Sequence, residues 1–357
     1  MMDKLEETML EYRDKKFLVI EPGGNNGDRL IYMGMEKKLK ELGIECTFLQ
    51  YKENPRALIY YGPWQRILKI LSVVSKSSNG LGMAINKLDS EVYGQTLRTS
   101  KIKVDPAHVI LIQGGGNMND LWGFGLRLLK NVIYQNPESV IIVGPQSYWF
   151  CESNFPKLFL EAKPKIYLFC REKYSYNLLR SMNLPKNVHV SLSHDTAFYL
   201  SKKDFHPRQG VYDLICFRTD KESILPQKTS DLRRLPRNGI VDLRPSENRI
   251  VAEDISLLDD FGDFVNLVEG SRKVFTDRLH VAILATILGK DTTLYPNSYY
   301  KTKGVYEYSL FSYSNVKFVD IQRNSKEFEA TIDLLLTQVV SLKSEASLVL
   351  EDDRIAK

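Results

Sequence analysis

SRKVFTDRLHVAILATIL, residues 271–288, passes from a short apolar strand directly into an apolar helix. The predicted strand ends at Phe275, and residues 279–287 have the composition of a helix. Thr276 or Asp277 is the predicted N-cap, because both side chains accept hydrogen bonds from the first amides of a helix. A strand that leads straight into a helix is the repeating element of an α/β fold.

Arg278 and His280 fall in the first turn of this predicted helix. The free amides and positive dipole end of a helix N-terminus attract anions, and a guanidinium strengthens that attraction. Imidazole side chains change charge between pH 5 and 8, so the pattern favours an anionic substrate and proton transfer. The alternative is structural: Arg278 pairs with Asp277 or another carboxylate, and His280 is a polar residue at a helix start.

The same strand-to-helix succession recurs along the chain, with short apolar runs separated by stretches of helical or loop character. Strands are predicted at residues 17–21, 45–50, 109–113, 140–143, 166–170, 188–192, 213–217, 239–242, 273–275 and 292–295, and helices at 29–42, 252–268 and 328–342. We therefore predict an α/β fold of two Rossmann-like domains that face each other across a cleft. The predicted boundaries are 1–200 for the N-terminal domain, 201–345 for the C-terminal domain and 346–357 for a tail.

Composition narrows the class of protein. The 357 residues are 43% hydrophobic and 26% charged, and 49 basic against 44 acidic side chains give a net charge of +5. This mild excess, without a dense basic tract, argues against nucleic acid as a partner. The scattered cysteines fit neither a disulfide framework nor a zinc site, so we expect no metal and a reducing, cytoplasmic location. No P-loop or dinucleotide-binding motif is present.

Residues 60–81 form an apolar stripe at helical spacing with basic side chains between its members. Such a stripe is either part of a hydrophobic core or a contact with a membrane surface or lipid-linked substrate. A place in the hydrophobic core is the commoner explanation of such a stripe. The second explanation would place the protein at the inner face of the membrane.

Three consecutive glycines, Gly114, Gly115 and Gly116, follow the strand at residues 109–113. Glycines at the carboxyl end of a strand let a ligand approach the backbone, and open α/β sheets bind ligands at that edge. Asn117 and Asp120 are then placed to bind hydroxyl groups. The alternative is a tight turn that needs positive φ angles.

Two further arginines follow predicted strands. Arg171 repeats the arrangement of Arg278 at a strand-to-helix junction, although it is also placed to form a salt bridge with Glu172. Arg218 follows the strand that ends at Phe217 and is the alternative to Arg171 as a second guanidinium for an anionic substrate.

A set of short motifs lies between residues 24 and 304; they are Gly24-Asn25-Asn26-Gly27-Asp28, Gly114-Gly115-Gly116-Asn117, Gly144-Pro145-Gln146-Ser147, Arg171-Glu172-Lys173 with Ser175, Asp195-Thr196-Ala197-Phe198, Asp277-Arg278-Leu279-His280, and Asn297-Ser298-Tyr299 with Lys301. In these motifs and in their order along the chain, the sequence resembles the polysaccharide pyruvyl transferases. The resemblance implies a GT-B-like fold and transfer of pyruvyl from phosphoenolpyruvate to a sugar. The product is a pyruvate ketal, and neither cofactor nor metal is implied.

The resemblance also implies roles for individual residues. Arg171 and Arg278 would hold the donor's phosphate and carboxylate, and His280 would be the catalytic histidine. The predicted donor set is Arg171, Arg278, Leu279, His280 and Lys301, with Arg278 and His280 as the catalytic pair, and the C-terminal domain with Arg278 and His280 is the expected donor side. The predicted acceptor set, on the N-terminal side, is Asn25, Asp28, Gly115, Gly116, Asn117 and Asp120. The chemistry agrees, because guanidiniums bind carboxylate and phosphate in bidentate geometry and a histidine can exchange protons during the transfer.

The expected acceptor is a sugar of a capsule, an exopolysaccharide or its lipid-linked precursor. Two other functions stay open. A GT-B glycosyltransferase that uses a nucleotide sugar would have the same two domains and a basic cleft. A non-catalytic sugar-binding protein of an envelope pathway would share the fold but would not need His280.

Overall fold

The computed structural model describes residues 3–51, 104–151, 153–160, 162–218, 220–223, 249–252 and 254–320. Several predictions lie outside these residues: the apolar stripe at 60–81, the strand at 239–242, the helix at 328–342 and the tail at 346–357.

The described chain forms two compact units. The first unit contains the chain up to Gly24 and then Ile31–Tyr199. The second contains Asn25–Leu30 together with the chain from Leu200 onward. The beginning of one N-terminal helix therefore belongs, by its contacts, to the second unit.

The first unit is built on a six-stranded sheet in which every pair of neighbours is parallel, in the order β2-β1-β3-β4-β5-β6. Its elements are α1 (Lys4–Glu11), β1 (Phe17–Glu21), α2 (Asn26–Glu41), β2 (Cys46–Gln50), β3 (Val109–Ile112), α3 (Phe124–Gln135), β4 (Val140–Gln146), β5 (Lys165–Cys170), α4 (Lys173–Arg180) and β6 (Val188–Leu192).

Strand β3 shows why this unit needs cover on both faces of its sheet. All four of its residues are fully buried. Ile110 and Ile112 belong to one hydrophobic cluster, whereas Val109 and Leu111 belong to another. Because successive side chains of a strand point to opposite faces, the two clusters lie on opposite faces of the sheet. Two-sided burial of a parallel sheet is the mark of a Rossmann-like unit.

The second unit is built on a five-stranded parallel sheet in the order β11-β10-β9-β7-β8. Its elements are β7 (Tyr212–Cys216), β8 (Arg249–Ala252), α5 (Phe261–Glu269), β9 (Ser271–Thr276), α6 (Leu279–Ile287), β10 (Asp291–Leu294), α7 (Lys301–Val305) and β11 (Val316–Phe318). The two parallel sheets confirm the predicted α/β fold class with two Rossmann-like units.

Helix α6 is apolar all round, as the opening stretch predicted. Residues 281–285 of this helix are fully buried. A helix without a polar face is stable only when it is enclosed by other elements. The position of its first turn is therefore fixed by core packing, and that turn carries Arg278 and His280.

The predicted starts of two helices were wrong. The helix predicted at 252–268 begins only at Phe261, because Ala252 ends strand β8 and the Asp260 side chain caps the helix by accepting the Asp263 amide at 3.0 Å. Helix α2 begins at Asn26 rather than near residue 29.

Candidate functional site

The start of α6 carries a buried arginine that contacts two carboxylates. Arg278 is 4% exposed, and its Nε lies 3.0 Å from Asp254 Oδ1. Nη2 bonds the other oxygen of Asp254, and Nη1 lies 3.1 Å from Asp220 Oδ2. Burial disfavours the charged guanidinium, but Asp254 and Asp220 outweigh burial and raise the pKa of Arg278. The side chain is therefore a permanent cation.

The predicted N-cap at Thr276 or Asp277 was wrong, since Arg278 itself is the N-cap residue. Thr276 Oγ1 donates to the Cys216 carbonyl at 2.6 Å and accepts the Arg278 amide at 2.9 Å. Asp277 Oδ1 accepts the Arg218 amide at 2.8 Å. Both side chains thus join the helix start to the end of β7.

Arg218 follows β7 and is also buried, with 6% of its surface exposed. Its Nε and Nη2 bond the two oxygens of Asp220 at 2.9 and 3.0 Å. Its Nη1 lies 3.0 Å from Glu222 Oε2. Asp220 therefore bridges Arg218 and Arg278, and both cations lower the pKa of Asp220 against the opposing effect of its burial.

Glu222 joins this network to the loop that precedes α7. It is 1% exposed, and its Oε2 accepts hydrogen bonds from Lys301 Nζ and, at 3.2 Å, from Asn297 Nδ2. The Ser298 amide donates to the Glu222 carbonyl at 2.9 Å. The predicted donor residue Lys301 thus lies in the same unit as Arg278, with one carboxylate between Lys301 and Arg218.

Asp277 is the fourth carboxylate of the cluster, and its surroundings favour a proton. The residue is 1% exposed, and within the described part of the chain its Oδ2 has no hydrogen-bond partner. Burial raises the pKa of Asp277 to about 7, although Arg218 and Arg278 partly oppose the shift. This carboxyl group titrates in the neutral range.

His280 is the second residue of α6, in its first turn, and is half-buried. A Cβ atom placed on Gly27 would lie 2.9 Å from His280 Cβ and 3.1 Å from His280 Nδ1. Gly27 belongs to the Asn25–Leu30 segment of the second unit. Only a residue without a side chain allows the start of α2 to approach His280 so closely.

The predicted acceptor residues Asn25 and Asp28 lie in this same segment. Asn25 Oδ1 accepts the Gly27 amide at 2.8 Å, and Asp28 Oδ2 accepts the Asn25 amide at 3.0 Å. Asn26 Nδ2 donates to the Leu258 carbonyl at 2.7 Å, which attaches the turn to the second unit. The structure therefore brings Asn25 and Asp28 together with His280.

Arg171 lies in the first unit and has a different environment. It is 1% exposed, with Nη1 at 2.7 Å from Asp195 Oδ2 and Nε at 2.9 Å from Ser147 Oγ. The rival arginine, Arg218, lies in the second unit on the same carboxylate as Arg278. This geometry favours Arg218 as the partner of Arg278.

The glycine run after β3 has two structural explanations. A Cβ on Gly114 would lie 2.6 Å from the Pro145 carbonyl oxygen, and Gly115 has a φ of 141°. The Gly116 carbonyl accepts a bond from Asn119 Nδ2 at 2.7 Å. Close packing and positive φ thus account for the first two glycines without a ligand.

Polar side chains around this run are buried with unused hydrogen-bonding capacity. Asn117 Nδ2 and both amide atoms of Gln113 have no partner within the described residues. Gln146 accepts the Asn117 amide at 3.2 Å, and Asp120 Oδ2 accepts the Cys151 amide at 2.7 Å. An unsatisfied buried amide costs ~1–3 kcal/mol, which a polar ligand at this position would offset.

Sequence reasoning missed the carboxylates that define the cluster in the second unit. Asp220 and Glu222 follow the apolar strand β7 in the charged run RTDKE, residues 218–222. This charged run directly after a strand is the sequence feature that could have indicated the two carboxylates. Asp254 lies in the stretch that was predicted to be helical. Nothing in its neighbours along the chain indicates that it pairs with Arg278.

The described residues contain neither a metal-binding group of side chains nor a helix that could span a membrane. No group of three or more histidine, cysteine or acidic side chains is placed to hold a metal ion there. None of the helices seen in that part of the chain is both long and apolar enough to cross a membrane.

A comparison with known protein families identifies the family of this chain. The family model for polysaccharide pyruvyl transferase matches residues 25–299. The chain belongs to this family. The matched region begins at Asn25, beside His280, and includes Arg218, Arg278 and the glycine run after β3.

Two curated relatives agree with the assignment. The chain is 25% identical over 224 residues to a Bacillus subtilis protein named as pyruvyl transferase EpsO, a match that covers 56% of this chain and 68% of the relative. It is 23% identical over 291 residues to pyruvyl transferase 1 of Schizosaccharomyces pombe, a match that covers 77% of this chain and 64% of the relative.

Among solved structures, an uncharacterised protein from Klebsiella pneumoniae has a similar fold. The TM-score is 0.56 at 24% sequence identity, and the match covers 89% of this chain and 98% of the other. This likeness concerns the fold alone.

Proposed function

We propose that this member of the polysaccharide pyruvyl transferase family moves the pyruvyl group of phosphoenolpyruvate onto two hydroxyls of one sugar. The acceptor is a sugar of a bacterial-type surface polysaccharide or of its lipid-linked precursor. The products are a cyclic pyruvate ketal and phosphate. The proposal includes no cofactor and no metal.

One observation carries the donor assignment: two buried arginines from separate segments converge on a single carboxylate at the start of α6. Arg218 and Arg278 both bond Asp220, and His280 follows Arg278 by two residues. Phosphoenolpyruvate carries a carboxylate and a phosphate, and both groups are good partners for guanidinium. Lys301, one carboxylate away from Arg218, adds a third cation to the same cluster.

His280 is the proposed acid or base. The transfer requires a proton on the methylene carbon of the donor, attack of one sugar hydroxyl on the adjacent carbon, and loss of phosphate. A second hydroxyl then closes the ketal on the same carbon. One hydroxyl proton replaces the proton delivered to carbon and the other leaves with phosphate, so the exchange balances. A histidine beside the anion site can move these protons.

Two groups of residues are assigned to the acceptor. Asn25 and Asp28 are supported by their position next to His280 in the second unit. In the first unit, Asn117 is supported by its unsatisfied Nδ2, and Gly115, Gly116 and Asp120 adjoin it along the chain. Amide and carboxylate side chains are suitable partners for sugar hydroxyls.

The reaction is tested by phosphate release from phosphoenolpyruvate with a panel of galactose- and mannose-type glycosides. Mass spectrometry of each glycoside would detect the added ketal. A ketal on one acceptor is the expected result. No product with any of them, together with thermal protection by a nucleotide sugar, would replace this proposal by a glycosyltransferase.

The role of His280 is tested by His280→Ala, with His206→Ala as the matched control. His206 is an exposed histidine of the same unit. The first variant should lose transfer and keep donor binding, and the second should keep both. Full turnover by His280→Ala would remove the catalytic assignment of this histidine.

A cytoplasmic enzyme with a lipid-linked acceptor would work at the inner face of the membrane. Residues 60–81 supply the sequence basis for that contact. Co-sedimentation with anionic liposomes, compared between the wild type and Trp64→Ala, tests it. Equal partition of the two proteins would exclude a contact through Trp64.

A further inference from the structure

We propose that the Asp220 carboxylate is an internal competitor for the anionic donor. It occupies the position between Arg218 and Arg278 that a phosphate group takes, and it moves away when the phosphate binds. The inference rests on the proposed function, because it concerns the same pair of arginines.

The geometry of the hydrogen bonds supports the competition. Three guanidinium nitrogens from two chain segments point at the two oxygens of this one carboxylate. They are Arg218 Nε at 2.9 Å, Arg218 Nη2 at 3.0 Å and Arg278 Nη1 at 3.1 Å. Three convergent N–H donors match the terminal oxygens of a phosphate better than they match a carboxylate, which has only two oxygens. A phosphate at this position would use the same three donors.

Exposure distinguishes Asp220 from the other carboxylates of the cluster. Its side chain is 25% exposed, whereas those of Asp254 and Glu222 are 8% and 1% exposed. Asp254 pairs with Arg278 through both oxygens, and Glu222 also holds Lys301. Asp220 is therefore the carboxylate that a ligand reaches first and that passes into solvent most readily, because it is already partly exposed.

Removal of Asp220 from the pair would not leave either arginine without a carboxylate partner. Arg278 would keep its bidentate bond to Asp254, and Arg218 would keep Glu222. The freed donors of both side chains would then bind the ligand. A displaced Asp220 carboxylate would pass into solvent, where its charge is hydrated.

The net charge of the cluster also supports displacement of Asp220 by the anion. Among the described residues, the cluster contains three cations and four carboxylates; they are Arg218, Arg278 and Lys301, and Asp220, Glu222, Asp254 and Asp277. With all seven groups ionised, the carboxylates outnumber the cations and repel a phosphate. Departure of Asp220, with a proton on Asp277, leaves an excess of positive charge. The site then attracts the anion that it otherwise repels.

The opposite role for Asp220 is to align the two arginines for the ligand. The two roles predict opposite signs for one substitution. If Asp220 competes, its neutralisation strengthens anion binding. If Asp220 aligns the arginines, the same change weakens binding.

The experiment compares Asp220→Asn with Asp213→Asn as the matched control. Asp213 is 24% exposed, pairs with Arg272 in the same unit, and loses the same charge. Isothermal titration calorimetry with phosphoenolpyruvate and with inorganic phosphate gives the dissociation constants. We expect Asp220→Asn to bind both anions about tenfold more tightly than the wild type, and the control to be unchanged. Equal or weaker binding by Asp220→Asn overturns the inference.

A second variant and a measurement on the wild type cover the case in which Asp220→Asn does not fold. Asp220→Ser should show the same gain. In the wild type, Asp220 Oδ1 accepts the Glu222 amide at 3.0 Å, so displacement by phosphoenolpyruvate should speed hydrogen exchange of that amide. Unchanged or slower exchange on binding counts against displacement.

The outcomes separate this inference from the proposed function. Binding of phosphoenolpyruvate to the wild type without a gain in Asp220→Asn overturns the competition only. Tighter phosphate binding by Asp220→Asn without any ketal product supports the competition and overturns pyruvyl transfer. Failure of both proteins to bind either anion overturns both.

Discussion

Replacement of Asp277 by asparagine should change how the stability of the protein depends on pH. Asparagine keeps an oxygen that accepts the Arg218 amide and resembles the protonated carboxyl group in shape. It cannot ionise. The variant therefore removes one titration and preserves the contact that joins the helix start to β7.

The magnitude follows from the two pKa values of Asp277. Burial raises the pKa from 3.8 to about 7 in the folded protein. Between these values the folded state holds a proton that the unfolded chain has lost, so the free energy of unfolding falls as pH rises. The contribution is fully present below pH 3.8 and is lost as pH rises to about 7. About three pH units at 1.36 kcal/mol each give roughly 4 kcal/mol as an upper value.

Urea unfolding of the wild type and Asp277→Asn at pH 5, 6, 7 and 8 measures this effect. Other titrating groups are common to both proteins and cancel in the difference. From pH 5 to 8 the wild type should lose roughly 2–3 kcal/mol relative to the variant, with little further loss above pH 7. Parallel stability curves over the whole range would refute the assignment of a neutral-range pKa to Asp277.

Three further substitutions test contacts that lie within one or the other unit. Gly27→Ala should lower kcat about tenfold or more and also lower the melting temperature, because its Cβ would lie 2.9 Å from His280 Cβ, which moves only with the start of α6. Gly34→Ala on the same helix should cost roughly 1–3 kcal/mol of stability, since its Cβ would lie 1.9 Å from the Thr196 carbonyl oxygen; unchanged chemical unfolding would contradict the clash. Arg171→Met should cost roughly 3–5 kcal/mol, because it leaves a buried aspartate without its guanidinium partner. A stable Arg171→Met protein that no longer binds the donor would instead support the predicted role of Arg171 in donor binding.

Much of the fold followed from local sequence. The strands at 17–21 and 188–192 have the predicted bounds, and most of the other described strands agree within one to three residues, because each is a short apolar run between turn residues. The prediction of one helix over residues 252–268 was wrong, because composition alone does not show where the helix begins. A strand end at Ala252 and a capping aspartate at 260 divide a stretch whose composition alone is helical.

The candidate site was predictable only in part. Arg278 and His280 were found because this cation and this imidazole lie only two positions apart in the sequence, at a recognisable helix start. The partners of Arg278 were not found, since Asp254 and Asp220 lie 24 and 58 positions away along the chain. Pairing over such distances depends on how strands β7, β8 and β9 are ordered in the sheet.

By itself, the sequence determined the alternation of strands and helices, the buried helix α6 and the place of Arg278 and His280 at its start. These properties depend on side chains that are neighbours along the chain, through hydrophobic periodicity and backbone capping. The tertiary structure alone decided that Asn25–Leu30 joins the second unit and that Gly27 approaches His280. It alone decided that Asp220 bridges two arginines and that Asp277 holds a proton near neutral pH. The reason is physical: burial, desolvation and charge pairing are set by groups that are close in space and distant in sequence.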